Sequence, residues 1–211
     1  MEYNIVNFNN VGFLNVQFTD EQLRPIKDEI EKIQSNFSIA QEANHKLAGH
    51  IKHEYELIDS LSHIENLFSP LVREYNIIYN YNREFNILSQ DVPIYLDSAW
   101  VNFQQKYEFN PPHNHSGIYS FALWIKIPYS YENEKTVFPK IGSKTINSTG
   151  AFCFQYVNAL GKISTYTINL DTTSENCAVF FPAEMIHEVN PFYTSDDYRI
   201  SVCGNFNFRT A

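Results

Sequence analysis

The chain has 211 residues, 44% of them hydrophobic and only 18% charged, which fits a folded domain with a substantial core and excludes a disordered chain. Aromatic residues reach 16%, and this abundance favours strands. The net charge of −9 and the lack of a Lys/Arg run disfavour a nucleic-acid partner, whereas a cationic or neutral partner is easier to accommodate.

Two strands and two helices are predicted in the first ninety residues. Alternating apolar and polar residues indicate strands at 3–8 and 12–18. Residues 19–22 have the spacing of a capping box, and the helix that follows is predicted to have Pro25 in its first turn. A second helix is indicated by apolar residues three or four apart between 57 and 75, and Pro70 is expected to kink or divide it.

The pattern changes at about residue 92, where short strand-like segments follow one another without an intervening helical stripe. Such a succession predicts an antiparallel sandwich or barrel. We interpret the chain as one mainly β domain, 1–211, in which 1–90 supplies strands and a helical layer packed on the sheet and 92–208 supplies the core. The predicted strands of the core are 99–105, 119–127, 150–157, 163–170, 178–182, 188–191 and 199–208.

Three histidines are candidate metal ligands. His113 and His115 are separated by one residue, and on extended backbone such residues project to the same face, so their imidazoles can meet at one ion. Alone, this spacing is more often found in plain surface histidines. His187 stands between an apolar strand end and another extended run, and it raises the expectation of a three-histidine site.

Arg199 opens the last predicted strand, where it shares one face with Ser201 and Cys203. A guanidinium in such an apolar strand is costly unless an anion accompanies it, and it can bind a carboxylate through two parallel hydrogen bonds. The hydroxyl of Ser201 would add another bond. An internal ion pair between Arg199 and a carboxylate of the protein is the alternative.

Together these segments resemble the 2-oxoglutarate/Fe(II) oxygenases. The matching motifs are a His-x-His segment with Ser-Gly after it, a Phe-Pro…His-x-Val-x-Pro segment and an Arg-Ile-Ser strand, at 113–117, 181–191 and 199–201. The chain is most similar to small members from bacteria and tailed phages, over about residues 95–208. This resemblance implies a double-stranded β-helix, that is, a jelly-roll or cupin-like barrel, with Fe(II) near one mouth.

The resemblance also implies the metal ligands. His113 matches the first ligand and His187 the distal one, while His115 stands where the family usually has a carboxylate. Three neutral imidazoles leave the metal complex one charge more positive than the usual two-histidine, one-carboxylate set. Water or Glu184 in place of one histidine of the pair is left open.

For 2-oxoglutarate, the resemblance implies that Arg199 binds the far carboxylate with help from Ser201. Tyr119, which directly follows the ligand turn, is a further candidate for contact with this cosubstrate. Asn102, on a strand just before the motif, is another. For both, the alternative is that they simply fill the interior of the barrel.

The activity implied is that of a dioxygenase, which hydroxylates a protein or peptide side chain or a small metabolite while 2-oxoglutarate is decarboxylated to succinate. A three-histidine cupin-type enzyme without 2-oxoglutarate and a non-catalytic metal-binding β-barrel module stay open as alternatives. Three scattered cysteines and an N-terminus without a signal-peptide pattern predict a cytoplasmic protein, in the host cytoplasm if phage-encoded. No membrane span is expected, and a homodimer is left open.

Overall fold

The structure is a computed structural model, and it describes residues 2, 4, 10–44, 48–85, 93–138 and 147–208. The predicted strand at 3–8 lies almost entirely outside these residues. The helices are α1 Asp20–Ser35, α2 Leu61–Tyr79 and the short α3 Tyr131–Glu134. The strands are β1 Leu14–Gln17, β2 His53–Glu56, β3 Ile94–Gln104, β4 Asn110–His113, β5 Tyr119–Lys126, β6 Phe152–Val157, β7 Ile163–Ile168, β8 Cys177–Pro182, β9 His187–Val189 and β10 Arg199–Phe208.

These strands form two sheets, and every pairing in them is antiparallel. The larger sheet has the order β1-β8-β5-β10-β3-β2, and the smaller one has the order β4-β9-β6-β7. An apolar cluster lies between them and takes residues from both sheets, including Trp124 of β5, Phe154 of β6 and Phe181 of β8. This arrangement confirms the predicted antiparallel barrel of the double-stranded β-helix type.

Strand β10 shows how alternation divides the interior. Ile200, Val202 and Phe206 face a second apolar cluster under the helices. Arg199 and Cys203, on the opposite face, line a cavity between the two sheets. The strand therefore separates the helix-side core from the side of the barrel that holds the candidate site.

The helical layer packs on the outer face of the larger sheet, as predicted. In α1, Thr19 and Gln22 form the predicted capping box, in which each side chain accepts a bond from the backbone N–H of the other residue. In α2, Phe68 is fully buried and stacks on Phe121 of β5 with ring centroids 3.9 Å apart. No helix within the described part of the chain is long and apolar enough to cross a membrane.

The helices differ from two predictions about prolines, because Pro25 is not in the first turn of α1 and Pro70 does not divide α2. Helix α1 begins at Asp20, because the capping box fixes its start, so Pro25 lies inside the helix and not in its first turn. Helix α2 continues undivided through Pro70. Pro70 lies on the exposed side of α2, where water can satisfy the carbonyl that lacks its helical donor.

Candidate metal centre

Pairing between β4 and β9 brings the three histidines together. His113 ends β4 and lies directly opposite His187, which begins β9. His115 is held nearby by a backbone bond of 2.8 Å from its N–H to the carbonyl of Ala183. One ring nitrogen from each histidine lies within 4.8 Å of the other two, and the Nε2 atoms of His113 and His115 are 3.3 Å apart.

The second nitrogen of each ring has its own acceptor. Nδ1 of His113 lies 2.7 Å from the carbonyl oxygen of Pro111, and Nδ1 of His187 lies 2.9 Å from that of Met185. A carbonyl oxygen only accepts, so both Nδ1 atoms carry the proton and both Nε2 lone pairs are free for a metal. Nothing in the sequence indicates these backbone partners.

The third ring, His115, is oriented by side chains instead. Its Nδ1 lies 2.6 Å from Oγ of Ser120 and 3.0 Å from Oδ1 of Asn205. The Ser120 hydroxyl lies 2.9 Å from the carbonyl oxygen of Gly204, to which it donates. Sequence reasoning missed both partners, although Asn205 continues the alternation of Arg199, Ser201 and Cys203 along β10.

The surroundings keep the three rings neutral. Burial lowers the pKa of His113, and burial with the nearby His113 ring lowers that of His115 to about 4. The pKa of His187 is well below its ordinary value, chiefly through burial, and the Phe152 ring stacks on it at 5.4 Å. Neutral imidazole is the form that binds a metal ion, so the site is prepared for a cation at neutral pH.

Arg199 is 1% exposed, and all five of its N–H groups have protein acceptors. Its Nε donates to Oε1 of Gln104 at 3.0 Å, and Nη1 donates to the hydroxyl of Tyr129 at 2.6 Å. The backbone carbonyls of Gly150 and Asn190 accept one bond each, and Oε1 of Gln104 accepts the fifth, from Nη2. None of these acceptors is charged, so the alternative of an internal ion pair has no support among the described residues.

One cavity of about 180 Å³ joins the histidines to Arg199. Asn102 and Ser201 line it, and Nδ2 of Asn102 donates to Oγ of Ser201 at 3.2 Å. Gln104 also lines it, as a site residue that the sequence analysis missed. The wall therefore carries the predicted residues Asn102, Ser201 and Arg199 side by side.

Tyr119 is the predicted site residue that the structure does not bring to the cavity. It is fully buried in the helix-side core, where its ring stacks on Phe180 and its hydroxyl donates to Oδ1 of Asn82 at 3.1 Å. The next residue, Ser120, faces the metal centre instead. Because neighbouring residues of a strand face opposite sides, this register turns Tyr119 away from the cavity.

Comparison with known proteins agrees with the geometry of the candidate metal centre. Residues 98–207 match the family described as "Putative 2OG-Fe(II) oxygenase". No curated protein is detectably similar in sequence.

Solved structures share the fold at low identity. A Pseudomonas putida prolyl-4-hydroxylase is 14% identical, covers 95% of this chain and 94% of its own, and superposes with a TM-score of 0.54. AviO1 from Streptomyces viridochromogenes is 9% identical over 95% and 91% of the two chains, with a TM-score of 0.52. The non-haem α-ketoglutarate-dependent epimerase SnoN, from nogalamycin biosynthesis, is 11% identical over 95% and 77%, with a TM-score of 0.53.

The family match spans just over half of the chain, and the three-histidine cluster lies inside it. The chain belongs to the 2-oxoglutarate- and Fe(II)-dependent oxygenases, with iron, 2-oxoglutarate and dioxygen as its cofactor and cosubstrates.

Proposed function

We propose that this oxygenase hydroxylates a protein or peptide side chain or a small molecule, with His113, His115 and His187 as the iron ligands. The observation that carries the proposal is the convergence of three neutral imidazoles in one cavity with a buried guanidinium. The three imidazoles can bind a metal cation, and the guanidinium can bind an anion. 2-Oxoglutarate unites both requirements, because it binds a metal at one end and carries a free carboxylate at the other.

The ligand set favours His115 over the alternatives that the sequence left open. Within the described residues, the cluster of possible ligands contains the three histidines and no carboxylate. Glu184 is exposed on the turn between β8 and β9 and is not part of that cluster. Imidazole is an established ligand for iron, so the donor set fits Fe(II).

In the proposed complex, Arg199 binds the far carboxylate of 2-oxoglutarate. Its present acceptors are neutral, and a carboxylate that replaced one of them would form charge-assisted hydrogen bonds, which are stronger than bonds to neutral oxygens. The hydroxyl of Ser201, on the same face of β10, is placed to donate one more.

When bound, iron and 2-oxoglutarate supply the oxidant: dioxygen is reduced, 2-oxoglutarate becomes succinate and carbon dioxide, and one oxygen atom enters a C–H bond of the substrate. The chain's part is to hold these groups and to exclude water. Phe152 and Phe181 exclude water, since both are buried and both pack on the His187 ring.

The test is anaerobic reconstitution with Fe(II) and 2-oxoglutarate, followed by absorption spectroscopy and by succinate formation in air. We expect a weak metal-to-ligand band in the wild type and loss of metal binding in His187→Ala. Arg199→Gln should keep the metal and weaken 2-oxoglutarate binding by about 10–100-fold, the equivalent of its charged hydrogen bonds. Arg24→Gln, an exposed change on α1, is the matched control.

The outcomes separate the hypotheses. Stoichiometric metal without a band and without succinate would exclude use of 2-oxoglutarate by this site. Activity that survives Arg199→Gln unchanged would favour the three-histidine enzyme that needs no 2-oxoglutarate. A protein that holds no metal in the wild type would point to a non-catalytic module.

A further inference from the structure

Several buried oxygen atoms in the wall of the cavity have no hydrogen-bond partner. Among the described residues, four buried side-chain polar atoms lack one, and three of the four belong to residues that line this cavity. They are Oε1 of Glu54, Oδ1 of Asn102 and Oδ1 of Asn110. Buried polar atoms are nearly always paired in folded proteins, so this concentration at one cavity indicates a ligand.

The amide oxygens of Asn102 and Asn110 are acceptors, and Oε1 of Glu54 is one when its carboxyl is ionised. The amide of Asn102 is oriented by its Nδ2, which donates to Oγ of Ser201 and to Sγ of Cys203, so that Oδ1 is the atom left over. Glu54 is 3% exposed, and its other oxygen accepts from Nδ2 of Asn44 at 3.2 Å. The missing partner must therefore supply hydrogen-bond donors.

The position of Glu54 follows from strand register. Strand β2 is the edge of the larger sheet, and Glu54 lies opposite Asn102, which in turn lies opposite Ser201. Arg199 is in the neighbouring row, opposite Gln104. Among the described residues that line the cavity, Glu54 is the only carboxylate and Arg199 the only guanidinium.

The cavity therefore has separate regions for opposite charges. A carboxylate ligand suits the region of Arg199, whereas a cation suits the region of Glu54, because a bound cation favours the ionised form of that carboxyl. The pKa of Glu54 is raised to about 8, first by burial and then by the Glu108 carboxylate, so the carboxyl keeps its proton at neutral pH until a cation beside it lowers the pKa.

An apolar wall connects this region with the metal centre. Trp100 lies two residues from Asn102 on β3, so the two side chains share a face. The ring of Trp100 is 5.5 Å from that of His115, measured between centroids. A molecule with its polar end at Glu54 can thus lay an aliphatic stem along Trp100 toward the histidines.

We propose that Glu54, Asn102 and Asn110, here called the acceptor wall, bind an organic cation that carries several N–H donors, a primary ammonium or a guanidinium group of the substrate. This inference rests on the proposed function, because it assigns the substrate of the same site. An ammonium offers three donors and a guanidinium five, enough for three separate acceptors, whereas an alcohol offers one. The net charge of −9 attracts such a substrate over a longer range.

The experiment uses the protein loaded anaerobically with Fe(II) and 2-oxoglutarate. The probes are the Nα-acetyl N-methylamides of lysine and arginine, and the norleucine derivative serves as a neutral control of similar shape. Calorimetry measures their binding, and succinate formation in air shows whether they stimulate turnover. The variants are Glu54→Gln, which keeps the shape of the side chain, and Glu56→Gln, the same change on the same strand outside the cavity.

We expect at least one cationic probe to bind about tenfold or more tightly than the norleucine derivative, as charged hydrogen bonds predict. Glu54→Gln should remove that preference, while Glu56→Gln should keep it. Comparison of the lysine and arginine probes decides between ammonium and guanidinium.

Failure of this inference is distinguishable from failure of the proposed function. If the absorption band of bound 2-oxoglutarate forms but the wild type shows no preference for a cationic probe, the acceptor wall is not a cation site. A preference that survives Glu54→Gln would overturn the assignment as well. If the band itself does not form, the proposed function fails first. The band in Glu54→Gln also verifies that this variant is folded.

Discussion

Replacement of Glu54 by glutamine should stabilise the protein in a way that depends on pH. The pKa of this carboxyl is raised from 4.5 to about 8, through burial first and the Glu108 carboxylate second. The folded protein therefore keeps a proton that the unfolded chain has already released, and the free energy of unfolding falls as pH rises from 4.5 to about 8. Outside that interval this group contributes no pH dependence.

The size of this change in stability follows from the same shift in the pKa of Glu54. Each pH unit within the interval lowers the stability of the wild type by about 1.4 kcal/mol relative to Glu54→Gln, whose side chain does not titrate. Between about pH 5.5 and about pH 8.5 the variant should therefore gain about 3 kcal/mol over the wild type.

Urea unfolding at constant ionic strength, repeated at several pH values across this interval, measures the difference. Glu56→Gln, the same change on the same strand but outside the cavity, shows whether the pH dependence is particular to position 54. A stability difference between wild type and Glu54→Gln that stays constant over the interval would show that burial does not hold this proton. Such a result would also remove one support for the acceptor wall.

Three further substitutions test the supports of the site and of the fold. Asn205→Ala removes one acceptor of the Nδ1 proton of His115 and should weaken Co(II) or Fe(II) binding by about 10–100-fold in a direct titration. Unchanged metal affinity would refute the orienting role of Asn205. Glu29→Ala leaves three backbone N–H groups before and at the start of α2 without their acceptor. It should lower the free energy of unfolding, measured in urea, by about 2–4 kcal/mol, and a decrease within experimental error would contradict this role. Gly204→Ala places a methyl group 2.6 Å from Cε1 of Phe121 and should cost about 1–3 kcal/mol, and a wild-type melting temperature would show that β10 yields easily.

Alternation along a strand made most of the site predictable from sequence. The spacing of His113 and His115 and the shared face of Arg199 and Ser201 both follow from a period of two, and the structure places all four as that period requires. The prediction for Tyr119 missed by a single position, because Ser120 faces His115 and Tyr119 is buried in the helix-side core. The sequence does not reveal at which residue a strand begins after a turn, and a shift of one residue exchanges the two faces.

Two edge strands escaped prediction for physical reasons. Strand β4 contains Pro111 and Pro112, which usually argue against a strand, but an edge strand needs fewer N–H donors and tolerates them. Strand β2 lies in a polar stretch, and its Glu54 points inward. Pattern rules assign charged residues to the surface, so a carboxylate buried for a ligand looks in sequence like an ordinary loop residue.

The shell around His115 bears on why an imidazole stands where the family usually has a carboxylate. The groups nearest to its Nδ1 are Oγ of Ser120 and Oδ1 of Asn205, and the Ser120 hydroxyl lies within hydrogen-bond distance of both Asn205 Oδ1 and the carbonyl of Gly204. With the Ser120 hydroxyl turned to either of these oxygens, the shell accepts the Nδ1 proton of His115. An imidazole donates its Nδ1 proton to this shell and still directs Nε2 to the metal centre, whereas a carboxylate would gain a bond only if the Ser120 hydroxyl turned toward it. Residues on β5 and β10 therefore suit a histidine at position 115, which supports the proposed three-histidine ligand set.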